Sequence, residues 1–205
     1  MLVPSMNSAE IFIELNKDFD NVLRKIEYLM PQIRRKQIKS KTKEVKIILD
    51  YKSPRKNEWI LLIRRSKKGH GISGFAYVKG DMNFYMIGAD GKTLHHYSPH
   101  FVKRYQERFL KETNLSLSEV MKKYIVNNDQ AVAYVPGDGK FYSTSIEGVS
   151  LGYIEDLTNG RIVFHDKTFI SEEMLREEQK DLSKDLLNKL ADYQKEIKAN
   201  YGLKC

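Results

Sequence analysis

The chain has 205 residues, 41% hydrophobic and 30% charged, a balance that suits a globular protein with one sizeable core. No apolar run approaches the ~20 residues that a membrane-crossing helix needs. The opening Met-Leu-Val-Pro-Ser-Met-Asn lacks the charged and apolar regions of a signal peptide, and the single cysteine, Cys205, excludes an internal disulfide and a cysteine-based zinc cluster. A cytoplasmic protein is the expectation. The net charge of +8 is uneven: Pro31–His70 holds 14 Lys or Arg against 3 Asp or Glu, whereas Ser171–Cys205 holds 7 against 8. A basic N-terminal third suits a polyanion such as RNA.

In chain order, Asn7 to about Met30 reads as an amphipathic helix. Leu15, Phe19, Val22, Ile26, Leu29 and Ile33 form a heptad seam. Pro31 is expected to kink or end it, with a shorter helical piece through Arg34, Arg35 and Lys36, so that the helical region runs over 7–38. The seam packs on the rest of the fold or, alternatively, joins two copies in a homodimer. The period then changes to alternation. Glu44–Tyr51, Glu58–Arg65, Ile72–Lys79 and Asn83–Gly88 read as a four-stranded antiparallel meander, with Gly80-Asp81 as a tight turn. Ala89-Asp90-Gly91-Lys92 is expected to leave the sheet.

Ser98 caps a short helix whose first position is Pro99. Ser116-Leu117-Ser118-Glu119 is a capping box that opens a second helix to about Asn127. Ala131–Val135, Lys140–Ser145, Val149–Glu155 and Arg161–Phe169 form a second meander. Ser171 is expected to cap a C-terminal helix or helix pair with an apolar stripe of Leu182, Leu186, Leu190, Tyr193 and Ile197. The fold class is α+β: two antiparallel meanders of about four strands, flanked by a long N-terminal helix, two central helices and a C-terminal helix. It reads as one domain over 1–205, with sub-parts 7–38, 44–88, 98–127, 131–169 and 171–201.

The chemistry concentrates after Ser98. His100, Arg104 and Arg108 recur every four residues and form one helical stripe, while Phe101, Tyr105 and Phe109 form a second stripe beside it. The aromatic stripe should bury itself, leaving the cationic one at its rim. An imidazole can move a proton near neutrality and guanidiniums can hold a phosphate, the groups that metal-free phosphodiester cleavage requires. His165, Lys167 and Thr168 lie on the last strand, where Thr168 points away from the other two. The plainer alternative pairs Arg104 with Glu107 and Arg108 with Glu112 as surface ion pairs. His95, His96 and His100 invite a metal, but Ser98-Pro99 starts the helix after His96, so they do not share consecutive turns. No metal and no cofactor is expected. Tyr97, Tyr105, Tyr124, Tyr134, Tyr142 and Tyr153 can stack bases or pack across strands.

The stretch Tyr97-Ser98-Pro99-His100-Phe101-Val102-Lys103-Arg104-Tyr105-Gln106-Glu107-Arg108 resembles the Ser-x-His-x-x-x-Arg-hydrophobic-x-x-Arg helix of small domains related to the RelE and barnase-like ribonuclease toxins. The order that follows, a helix and a four-stranded meander, is similar too. The resemblance implies a metal-independent endoribonuclease or toxin-like phosphodiesterase, with His100, Arg104, Arg108 and Thr168 at its site. The residues alone also support a non-catalytic module that binds nucleic acid or protein through Arg34, Arg35, Lys36, Arg55, Lys56, Arg64, Arg65, Lys67 and Lys68.

Overall fold

The computed structural model describes residues 1–66, 69–88, 90–128 and 132–201. The class is α+β, with mostly antiparallel strands. The chain divides into two compact units, Met1–His96 with Asp156–Val163, and Tyr97–Glu155 with Phe164–Cys205.

The first unit opens with α1 (Ser8–Ser40), started by a capping box in which Asn7 and Glu10 satisfy each other's backbone amides. Ile11, Phe12, Leu15, Val22, Ile26 and Ile33 bury one face of α1 against Trp59, Leu61, Ile63, Ala76 and Leu94. The heptad seam is thereby occupied within its own unit. Pro31 does not end this helix, contrary to expectation. Glu27 and Pro31 both face solvent, so the Glu27 carbonyl that loses its helical donor can be hydrated. The helix ends instead at Lys41, in the left-handed conformation.

Strands β1 (Glu44–Lys52), β2 (Glu58–Ser66), β3 (Gly69–Tyr77), β4 (Phe84–Ile87) and β5 (Thr93–Tyr97) follow in sheet order. The run Trp59–Ile63 of β2 is buried on both faces, which explains its unbroken apolar sequence. Two expectations fail here. Gly80-Asp81 is part of a wider loop in which the Met82 amide donates to the Val78 carbonyl, with both Gly80 and Met82 at positive φ. The chain also does not leave the sheet after β4. Asp90 accepts from the Lys92 and Thr93 amides and the Thr93 hydroxyl, which turns the backbone straight into β5.

The second unit contains α2 (Pro99–Tyr105), a π-helical turn (Gln106–Leu110) and α3 (Leu117–Asn127). Its strands are β6 (Val132–Tyr134), β7 (Lys140–Ser145), β8 (Gly148–Leu157) and β9 (Arg161–Ser171), of which Asp156–Val163 is counted with the first unit. Phe101, Tyr105, Phe109 and Tyr124 all meet the ring of Phe169, with Tyr105 at 5.0 Å and Phe101 at 6.1 Å between centroids. Phe101 and Tyr105 are fully buried and Phe109 is half-buried. Gly148, at φ 152°, makes the β7–β8 turn where a Cβ would lie 2.2 Å from the Ile170 carbonyl oxygen, so no other residue fits.

Ser171 does not cap the C-terminal helix. It leads into a single 3-10 turn (Glu172–Met174), and α4 spans Glu177–Tyr201. Leu186 is buried, whereas Leu182 is 38% exposed. The side chains of Leu190, Tyr193 and Ile197 lie outside the described residues, as do Ala131 and Cys205.

Candidate functional site

In the second unit the Ser98 hydroxyl accepts from the Phe101 amide and donates to the Asp166 carbonyl, both at 3.2 Å, which anchors the start of α2 on β9. His100 then stands exposed one residue into the helix. Arg104 donates from Nε to His100 Nε2 at 3.4 Å and from Nη1 to Glu107 Oε2 at 3.0 Å. Arg108 leaves the stripe. The π turn, closed by the Lys111 amide on the Gln106 carbonyl, widens the helix and rotates Arg108. Its Nη1 donates to the Phe169 carbonyl at 2.6 Å. Glu112, the expected partner of Arg108, is instead held by Lys123 at 2.7 Å.

Thr168 shares a strand face with Ile170, which lines the space under α4, whereas Phe169 points to the aromatic cluster. His100 and Arg104 are therefore neighbours. Among the described residues no hydrogen bond joins Arg108 or Thr168 to either.

Two further polar groups stand in this unit: Glu147, which the sequence did not mark, and His165, whose partners it did not show. Glu147, in the β7–β8 turn, accepts from the Tyr105 hydroxyl at 2.6 Å, from Asn127 at 2.8 Å and from Asn128. Burial, and then the carboxylate beside it, push the Tyr105 hydroxyl far above its usual range. His165 is buried on β9, 2.7 Å from Glu155 and stacked on Tyr153 at 4.5 Å, with Lys167 over the same tyrosine ring. Burial lowers its pKa more than Glu155 raises it. Both groups tie adjacent elements together. A cavity of about 230 Å³ lies between the sheet and α4, walled mainly by Tyr142, Val149, Leu151, Ile170 and Leu186.

The histidines do not gather. His96 stacks on Tyr85 at 4.9 Å and bonds Asn83 at 2.8 Å. Among the described residues no three potential ligands converge on a metal position.

In the first unit, α1 carries two carboxylates on its apolar side. Glu14 accepts both forks of Arg55, at 3.0 and 2.6 Å, and Asn57 at 3.1 Å. The Arg55 bonds are the largest influence holding its carboxyl down, to about 2. Asp18, with no exposed surface, accepts from Ser53, Asn57, Trp59 and Asn21. Burial works to raise its pKa, but these donors outweigh it and the net shift is downward. The spacing of four between Glu14 and Asp18, inside an otherwise apolar face, was the available signal for this network.

Arg55 is thus committed to a structural ion pair. Lys56 is exposed at a left-handed turn position, and Arg64 and Arg65 are half-buried on β2. Lys67 and Lys68 lie outside the described residues.

The basic residues at the C-terminal end of α1 and just beyond it all face solvent. From Arg34 to Lys43 the chain has six cations, Arg34, Arg35, Lys36, Lys39, Lys41 and Lys43, and no carboxylate. All six are exposed. Ile33 and Gln37 are the buried positions of this stretch and fix which side faces water. Gln37 donates to the Lys43 carbonyl, which folds the segment after the helix back toward it. Gln32, Arg35, Lys36, Lys39 and Ser40 line a shallow depression of about 510 Å³. Among the described residues none of the six forms an ion pair, in contrast to Arg55 and Arg104.

No helix among the described residues is long and apolar enough to cross a membrane. No protein-family model, curated protein or solved structure matches this chain.

Proposed function

We propose that this protein binds nucleic acid, with RNA as its first candidate, by holding the phosphate backbone against the C-terminal end of α1. The observation that carries this reading is the run of six exposed cations from Arg34 to Lys43 with no counter-charge. Uncompensated positive charge at this density repels itself, and a polyanion relieves that repulsion while releasing its own counterions. A cytoplasmic location fits both this partner and the single cysteine of the sequence. The test is fluorescence anisotropy with labelled RNA. The Arg34→Ala, Arg35→Ala, Lys36→Ala triple variant should fold normally and bind several-fold more weakly. Equal affinity of the triple variant and the wild-type chain refutes the assignment.

A second reading is RNA cleavage, as the resemblance to the ribonuclease toxins implies. It is favoured by one contact, Arg104 Nε within 3.4 Å of His100 Nε2 on an exposed ridge, which brings a proton acceptor and a phosphate-binding cation within reach of one phosphodiester. The commitments of Arg104 to Glu107 and of Arg108 to Phe169 weigh against it. Wild-type chain that leaves RNA intact rules this reading out, and cleavage that persists unchanged in a folded His100→Ala protein removes His100 from the site.

A further inference from the structure

We infer that the nucleic acid held at this end of α1 is single-stranded, and that Tyr28 stacks one of its bases. This inference rests on the nucleic-acid reading above and narrows its ligand class.

Tyr28 is 68% exposed, the most exposed aromatic side chain of the first unit's long helix. A lone exposed aromatic is ordinary; its company is what matters here. Arg24, Tyr28, Gln32, Arg35 and Lys39 are spaced 4, 4, 3 and 4. On a helix they fall within an arc of about 80° and span roughly 22 Å. Each is exposed. The stripe therefore presents, in order, a cation, a ring, an amide and two more cations, the last three bordering the shallow basic depression.

Tyr28 also has a cation of its own. Lys25 Nζ lies 5.5 Å from the Tyr28 ring centroid and 5.8 Å from that of Tyr51. Lys25 is thereby held beside the ring, where it can meet the phosphate adjacent to a stacked base.

The ring discriminates between nucleic-acid forms. In a duplex the base faces are covered by neighbouring bases, and a tyrosine on a convex helix reaches only phosphates and sugars. An unpaired base has a free face, and a stacking ring flanked by backbone-tracking cations is how single strands are held without sequence preference. Gln32, with a donor and an acceptor, stands one turn further along to meet a base edge.

The test compares oligouridylate with an RNA duplex of equal length, by anisotropy, against wild-type protein and three variants. Tyr28→Ala should weaken oligouridylate binding about 5- to 100-fold and leave duplex binding unchanged. Tyr28→Phe, which keeps the ring, should bind as wild type. Arg35→Ala with Lys39→Ala should weaken both ligands. If Tyr28→Ala binds oligouridylate as wild type does while the double variant is weakened, the stacking inference fails and the nucleic-acid reading stands. If neither RNA binds, both fail. Sedimentation with phosphatidylserine vesicles that depends on Tyr28, without RNA binding, assigns the stripe to an anionic membrane surface and overturns the inference. The exposed position of Tyr28 keeps these variants folded, which thermal melts verify.

Discussion

Arg108 donates from Nη1 to the main-chain carbonyl of Phe169 at 2.6 Å, so the last residue of the expected His100, Arg104 and Arg108 stripe serves the end of β9. This contact separates a structural from a chemical role. A charge-assisted hydrogen bond of this kind contributes about 1.5–3 kcal/mol. Arg108→Ala should lower the urea-unfolding free energy by that amount and leave RNA affinity unchanged. A variant of wild-type stability that has lost RNA binding would return Arg108 to the phosphate.

The aromatic cluster predicts a graded response. Phe169 is fully buried, and Phe101, Tyr105, Phe109 and Tyr124 all pack on its ring. Phe169→Ala should cost about 3–5 kcal/mol, as expected for a fully buried ring. Phe109 is only half-buried, and Phe109→Ala should cost clearly less. Equilibrium denaturation of the two variants orders them. Equal losses would mean that Phe109 is buried as deeply as Phe169.

Acid should act on the first unit through Glu14. Its carboxyl is held at about 2, against an ordinary value of 4.5. A depressed folded-state pKa contributes stability that is fully present above about pH 4.5 and is lost as pH falls toward 2. The loss is at most about 3.5 kcal/mol, and the downward shift of Asp18 adds to it in the same direction. Unfolding curves between pH 6 and 2 should show the decline, and Glu14→Gln should flatten it. An unchanged slope in Glu14→Gln would place the acid sensitivity elsewhere.

Most elements were legible because their signals are local. Capping at Ser98 and Ser116, the alternation of β1 and the unbroken apolar run of β2 depend on near neighbours in sequence. What was missed depends on tertiary placement. Pro31 survives inside α1 because its side of the helix is wet. β5 follows from Asp90 closing a turn, although Thr93–Tyr97 also fits a connection to α2. The regular spacing of His100, Arg104 and Arg108 assumes an α-helix throughout, and the π turn at Gln106–Leu110 breaks it. Arg55 reads as a binding cation in the sequence, but its partner is Glu14, 41 residues earlier in the chain. The basic run was legible as charge, but its lack of partners required the fold.

The central claim is that Arg34, Arg35 and Lys36 contact phosphates. The slope of log affinity against log salt for single-stranded RNA tests it most directly, because each contact contributes about −0.7. The wild-type chain is predicted to show a slope steeper by about 2 than the Arg34→Ala, Arg35→Ala, Lys36→Ala variant. Identical slopes for the two proteins, or wild-type binding that does not vary with salt, would contradict the account.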